Sequence, residues 1–219
     1  MNDYTNENAD IFDDPKQKKG FTFGKLIKWI CLAFIIAVCA ILFARCYMYN
    51  DSPIVKKVII NEKFTDAYNA DSESFEVLQY GIKSSWVAIK ENRLIEFNYL
   101  YFIPKTEQLQ FSVKYNLDLP GKNVGLPFKF KLTDSDGNEF TSYTYEFEKR
   151  YGYGYYRICF DGIRLEKDQD SQDGRNKGYT VTIDMKDSDG NYSELCTNQI
   201  YDGSTVCRPI DFSKYLKQK

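Results

Sequence analysis

Between Trp29 and Ala44 the chain carries no charged residue, and Lys28 and Arg45 close the run on either side. Extended through Leu26 and Ile27 at one end and to Tyr49 at the other, the segment is long enough to cross a bilayer as a helix. The flanking cations then reach the headgroups by their own side-chain length. A core helix of a soluble protein would keep one polar face, whereas this stretch is apolar all round. A cleaved secretory signal would open on a short basic segment, but here a long polar tail comes first, and apolar residues continue past Val38-Cys39-Ala40. A lipoprotein site needs a small residue before its cysteine, and Arg45 precedes Cys46. Residues 25–49 therefore read as a single-pass signal anchor. Its membrane-embedded side chains are Trp29, Ile30, Leu32, Phe34, Ile35, Ile36, Val38, Ile41, Leu42 and Phe43.

Five lysines (Lys16, Lys18, Lys19, Lys25, Lys28) lie before the run, and Arg45, Lys56, Lys57 and Lys63 follow it. The cluster close to the helix start predicts a cytoplasmic N-terminus and places residues 50–219 outside. Residues 1–24, polar and rich in Asn and Asp, read as a disordered cytoplasmic tail. The opposite orientation would leave the large domain in the cytoplasm with free thiols.

Past the anchor the dominant signal is alternation with period two. Phe111, Val113, Tyr115 and Leu117 alternate with polar residues, as do Phe128, Phe130 and Leu132, and Tyr143, Tyr145 and Phe147. Tyr156, Ile158 and Phe160, then Tyr179, Val181, Ile183 and Met185, repeat the pattern. Each such strand buries one face and wets the other. Less regular candidate strands cover 57–61, 75–82, 86–90 and 94–103, and no segment past residue 65 has strong helical periodicity. The expected fold is all-β, an antiparallel β-sandwich preceded by one transmembrane α-helix.

Asp134-Ser-Asp-Gly-Asn138 recurs as Asp187-Ser-Asp-Gly-Asn191, each directly after an alternating strand. Aligned as calcium loops, Leu132 and Met185 would occupy the leading aspartate position and Tyr143 and Cys196 the closing glutamate, so neither is an EF-hand. Both read as hairpin turns with a left-handed glycine. Asp202-Gly203 reads as a third, two-residue turn. It would set Cys196 diagonal to Cys207, about 7 Å or more apart, which a disulfide spans only across a bulge. Among Cys159, Cys196 and Cys207 a single disulfide is expected at most, as Cys196–Cys207 or Cys159–Cys196.

The 219 residues contain no histidine, which removes histidine-based nucleophile pairs, zinc sites and general bases together. No phosphate-cradling glycine motif opens a helix and no Cys-x-x-Cys is present. The expectation is a non-catalytic protein with no cofactor and no metal. A formal charge of −2 with no basic stripe argues against nucleic acid. What remains is a binding surface for a protein or glycan. The strongest candidate is Arg150, Tyr151, Tyr153, Tyr155 and Arg157, tyrosines edged by cations. The competing reading makes the tyrosines one face of a strand, with glycines relieving a bend. A third reading makes the chain an accessory subunit that packs through its anchor, where Ala33, Ala37, Ala40 and Ala44 form a small-residue stripe. The acidic stretch Glu166–Gly174 reads as a solvated loop.

The order of an N-terminal anchor, an alternating strand, Phe128-Lys-Phe-Lys-Leu-Thr-Asp-Ser-Asp-Gly-Asn-Glu-Phe140, and then Tyr156-Arg-Ile-Cys-Phe160 resembles the immunoglobulin-like (telokin-like) domains that bacteria tether outside the membrane. The resemblance implies an immunoglobulin-like sandwich and assigns no site residue.

Overall fold

The computed structural model describes residues 23–49, 52–90, 93–119, 127–165, 178–203 and 207–212. The N-terminal tail up to residue 22 and the acidic stretch 166–174 lie outside them. The chain divides into two units, residues 1–49 and 50–219.

In the first unit, helix α1 spans Phe23–Tyr49. Its apolar part, Phe23–Ala44, has 22 residues and buries none of them against protein. At 1.5 Å per residue that is about 33 Å, the thickness of a hydrocarbon core. One helix here is long and apolar enough to cross a membrane.

The second unit is mostly β. It contains β1 (Leu78–Tyr80), β2 (Trp86–Lys90), β3 (Arg93–Ile103), β4 (Gln108–Asn116), β5 (Phe128–Asp134) and β6 (Glu139–Phe140). β7 (Tyr143–Arg150), β8 (Tyr153–Asp161), β9 (Tyr179–Lys186), β10 (Tyr192–Tyr201) and β11 (Cys207–Pro209) follow. A seven-stranded antiparallel sheet runs β11-β1-β3-β4-β8-β7, with β2 paired to the first half of β3. A four-stranded antiparallel sheet runs β10-β9-β5-β6. One apolar core draws on both. Phe97, Phe111, Val113, Ile158 and Phe160 come from the larger sheet and Phe130, Leu132, Val181 and Ile183 from the smaller.

The inward sets of β4, β5, β8 and β9 are those the alternation marks. β3 behaves differently, because Tyr99 has φ 51° and the pairing with β4 slips by one residue between Asn98 and Tyr101. A bulge of this kind exchanges the two faces of a strand. Ile95 and Phe97 point inward before it, and Leu100 and Phe102 after it. Tyr101 and Ile103 are thereby turned to the outer face, where they join Val58, Phe64, Phe75 and Val77 in a second apolar cluster.

Residues 52–77 build the rest of that cluster. A short 3₁₀ turn, Pro53–Lys56, is followed by extended chain and by a nine-residue helix α2, Glu62–Ala70. The Asn61 side chain accepts from the Phe64 amide at 2.9 Å and caps the helix start. Segment 57–61 is not the strand its composition suggests. Its Ile59 amide donates to Gln110 Oε1 at 2.7 Å, and Gln110 Nε2 donates to the Ile59 carbonyl at 3.1 Å. A side-chain amide takes the place of a neighbouring strand.

The two Asp-Ser-Asp-Gly-Asn loops share the bonds that their backbone amides donate to the leading aspartate. Asp134 Oδ1 accepts from the Asp136 and Asn138 amides at 2.9 and 2.8 Å, and Asp187 Oδ1 accepts from Asp189 and Asn191 at the same distances. Gly137 and Gly190 take φ of 86° and 90°, the region that favours glycine. Both are hairpin turns, joining β5 to β6 and β9 to β10. Ser204, the expected partner of Tyr201 across the Asp202-Gly203 turn, lies outside the described residues, and the expected pairing of Asn198 with Cys207 is not seen. Cys207 pairs with Tyr80 on β1 instead, so the chain leaves the smaller sheet for the larger one after Tyr201. No disulfide joins Cys159, Cys196 and Cys207, and all three thiols are free. Cys159 and Cys207 lie on strands of the larger sheet and Cys196 on a strand of the smaller one.

Candidate functional site

The outer face of the seven-stranded sheet is divided, and β4 measures the division. Its outward residues are Gln108, Gln110, Ser112, Lys114 and Asn116. The first three are buried. Each bonds to the covering segment in turn: Gln108 Nε2 to Asn61 Oδ1 at 3.3 Å, Gln110 to Ile59, and Ser112 Oγ to the Val55 carbonyl at 2.8 Å.

Arg157, paired across the ladder with Ser112, is 0% exposed. Its Nη1 donates to the Tyr99 carbonyl at 2.8 Å, to Ser112 Oγ at 3.0 Å and to the Val55 carbonyl at 3.5 Å. The guanidinium carbon lies 4.6 Å from the centre of the Tyr101 ring. A charge is costly inside a protein unless dipoles surround it. Here the bulge at Tyr99 turns a carbonyl toward the cation and the ring face adds a second favourable contact. Tyr155 is buried against Ile54 and Val55. Of the residues singled out in the sequence, Tyr155 and Arg157 are therefore corrected. They are interior residues, because the chain entering the domain folds down over them.

Past Ser112 the cover by described residues thins, reaching Tyr155 beside Lys114 but not Trp86 on β2. Trp86 on β2 stands opposite Glu96 on β3, and Glu96 opposite Lys114 on β4. Trp86 is 58% exposed. The Glu96 carboxylate and the Lys114 ammonium are 3.2 Å apart, and the Lys114 side chain is only 12% exposed. The ammonium also lies 4.9 Å from the centre of the Tyr153 ring. Ser85, Trp86, Leu94, Glu96 and Asn98 line a cavity of about 390 Å³. A second recess of about 90 Å³ shares Leu94 and Glu96 with it and reaches Lys114 and Tyr153. The Ser85 carbonyl accepts from the Phe97 amide at 2.8 Å, which fixes the backbone beside the indole.

Arg150, Tyr151 and Tyr153 lie at the same end of the sheet. Tyr151 and Gly152 form the two-residue turn between β7 and β8, both with positive φ (48° and 85°). The Arg150 guanidinium is 5.1 Å from the centre of the exposed Tyr151 ring. Gly154 points inward, where a Cβ would stand 2.3 Å from the Tyr115 ring. The glycine makes room for a core aromatic. Three of the five singled-out residues thus remain at the surface, and Tyr153 lines the smaller recess. Trp86, Leu94, Glu96, Asn98 and Lys114 escaped the sequence reading. The available signal was Trp86 heading a candidate strand whose alternate residues, Val87 and Ile89, belong to the core.

Outside this face Cys159, Cys196 and Asp71 have structural surroundings. Burial pushes the Cys159 thiol up to about 12 and Cys196 up to about 11, so neither is a thiolate at neutral pH. Lys105 and Ser74 hold the Asp71 carboxyl well below its usual range. Among the described residues no group of three His, Cys, Asp or Glu side chains is placed to hold a metal ion. The open face offers an aromatic platform, one apolar side chain and an internally balanced ion pair, which suits recognition. No family model, curated protein or solved structure matches this chain.

Proposed function

We propose that the chain is a single-pass membrane protein that holds a non-catalytic binding domain at the cell surface. Helix α1 lodges in lipid with the N-terminus in the cytoplasm. Residues 50–219 form an extracytoplasmic, immunoglobulin-like β-sandwich whose ligand is a protein or a glycan. An apolar helix with no buried face supports the anchor. A single core fed by two antiparallel sheets supports the sandwich. The observation that carries the binding role is the uncovered end of the larger sheet, where an exposed tryptophan borders a cavity with polar groups converging on it.

Membrane fractionation and thiol labelling test the whole assignment. The full-length chain should stay in the pellet after alkaline extraction of membranes. A membrane-impermeant maleimide applied to intact cells should modify Cys207, identified by mass spectrometry of its peptide. Extraction into the supernatant removes the anchor. Labelling of Cys207 only after lysis puts the domain on the cytoplasmic side.

A further inference from the structure

We infer that the cavity beside Trp86 takes one or two rings of an uncharged saccharide, a conclusion that rests on the binding role proposed above. The first argument is geometric. The cavity opens on the face of a sheet over β3, whose backbone at Glu96 pairs with β2 on one side and β4 on the other, while β2 pairs with β3 alone. A peptide that binds by strand addition would lie along the outer side of β2 and not over the cavity. A ligand on this face is held by side chains alone.

The second argument is the kind of side chain on offer. Trp86 provides a broad apolar surface that is 58% exposed, and Leu94 adds to it. Glu96, Asn98 and Ser85 bring hydrogen-bonding groups to the same cavity. A pyranose ring has the matching pair of properties, a face of C–H groups and a rim of hydroxyls. The C–H face lies against the indole, and the hydroxyls bond to carboxylate and amide.

Charge decides against the alternatives. The Glu96 carboxylate is 3.2 Å from the Lys114 ammonium, so the pair presents almost no net field to attract a phosphate or a carboxylate. A neutral ligand loses nothing by that cancellation, and one hydroxyl can donate to Glu96 while others bond to Asn98 and Ser85. Size agrees too. About 390 Å³ is at the lower end of small-molecule sites and holds one or two sugar rings.

The test uses the full-length chain in lipid nanodiscs. The sequence has two tryptophans, so Trp29→Phe leaves Trp86 as the sole indole reporter. Cellotriose, maltotriose, mannotriose and chitotriose are titrated while its emission is followed. At least one should give a saturable shift. Glu96→Gln should weaken that binding roughly tenfold, the effect of losing one charged hydrogen bond. Trp86→Ala, followed by calorimetry, should abolish it, and Tyr192→Ala on the other sheet should leave it unchanged. Absence of any saturable shift, or binding that survives Trp86→Ala, overturns the saccharide. A charged or protein ligand bound in a Trp86-dependent way would also overturn it, yet leave the binding face standing. Failure of every ligand together with failure of crosslinking from this face in cells would remove both.

Discussion

Gln110 and Lys114 sit on the same side of the same strand, two alternations apart, and meet opposite fates. Gln110 is sealed inside, its amide bonded on both sides to Ile59. Lys114 keeps only a small exposed part, its charge set between Glu96 and the ring of Tyr153 at the margin of the open recess. One sheet face therefore holds a second core at one end and an open platform at the other. The comparison teaches that an outward polar residue on a strand does not mark solvent. It marks whatever covers the strand, and a glutamine, a serine or an arginine can be buried by a segment that brings the right carbonyls.

The largest effects should fall in the covered half. Phe64 is fully buried and meets Phe75 and Phe212 at centroid distances of 4.8 and 5.9 Å. Phe64→Ala should cost about 3–5 kcal/mol of stability, read from denaturant unfolding of the full-length protein. Gln110→Ala strips both bonds from Ile59 and should cost about 1–3 kcal/mol. If it proves neutral, the covering segment is not part of the folded domain and the comparison fails. Gly154→Ala probes the inner side of β8 and should cost about 1–3 kcal/mol, because the Tyr115 ring must move. Trp86→Ala in the open half should change stability by no more than about 0.5 kcal/mol. A large loss there would mean the tryptophan is a packing residue.

A pH profile separates the halves on a finer scale. Burial raises Cys159 from an ordinary 9.0 to about 12. Below pH 9 both folded and unfolded chains keep that proton, so the contribution to stability is complete. As pH rises from 9 toward 12 only the unfolded chain ionises, and stability is lost. Cys159→Ala should flatten part of this alkaline decline, measured as unfolding midpoint against pH.

How far these features were legible depends on how local their causes are. β4, β5, β8 and β9 declare themselves because each keeps one phase throughout. The phase of β3 changes at Tyr99, and a bulge leaves no composition signal at a tyrosine. The stretch 57–61 reads as a strand because Val58, Ile59 and Ile60 are β-branched, but its partner is a side chain 51 residues away. Helix α2 is nine residues long, too short for periodicity to stand out, although Asn61 before Glu62 is a recognisable cap. Tyr155 and Arg157 looked available because nothing in the spacing announces that Ile54 and Val55 lie over them. Trp86 went unremarked for the converse reason, since exposure is decided by where the cover stops. The turns at Gly137 and Gly190 were the most local features and the most legible.

The account stands on the open end of the larger sheet being where this protein meets something else. Site-directed photocrosslinking in intact cells reads that directly, with p-benzoylphenylalanine in place of Ala88, which is exposed beside Leu94 on that face. The control replaces Thr197, exposed on the smaller sheet. A crosslinked adduct from position 88 and none from position 197 is the predicted result. An adduct only from position 197, or from neither, contradicts it.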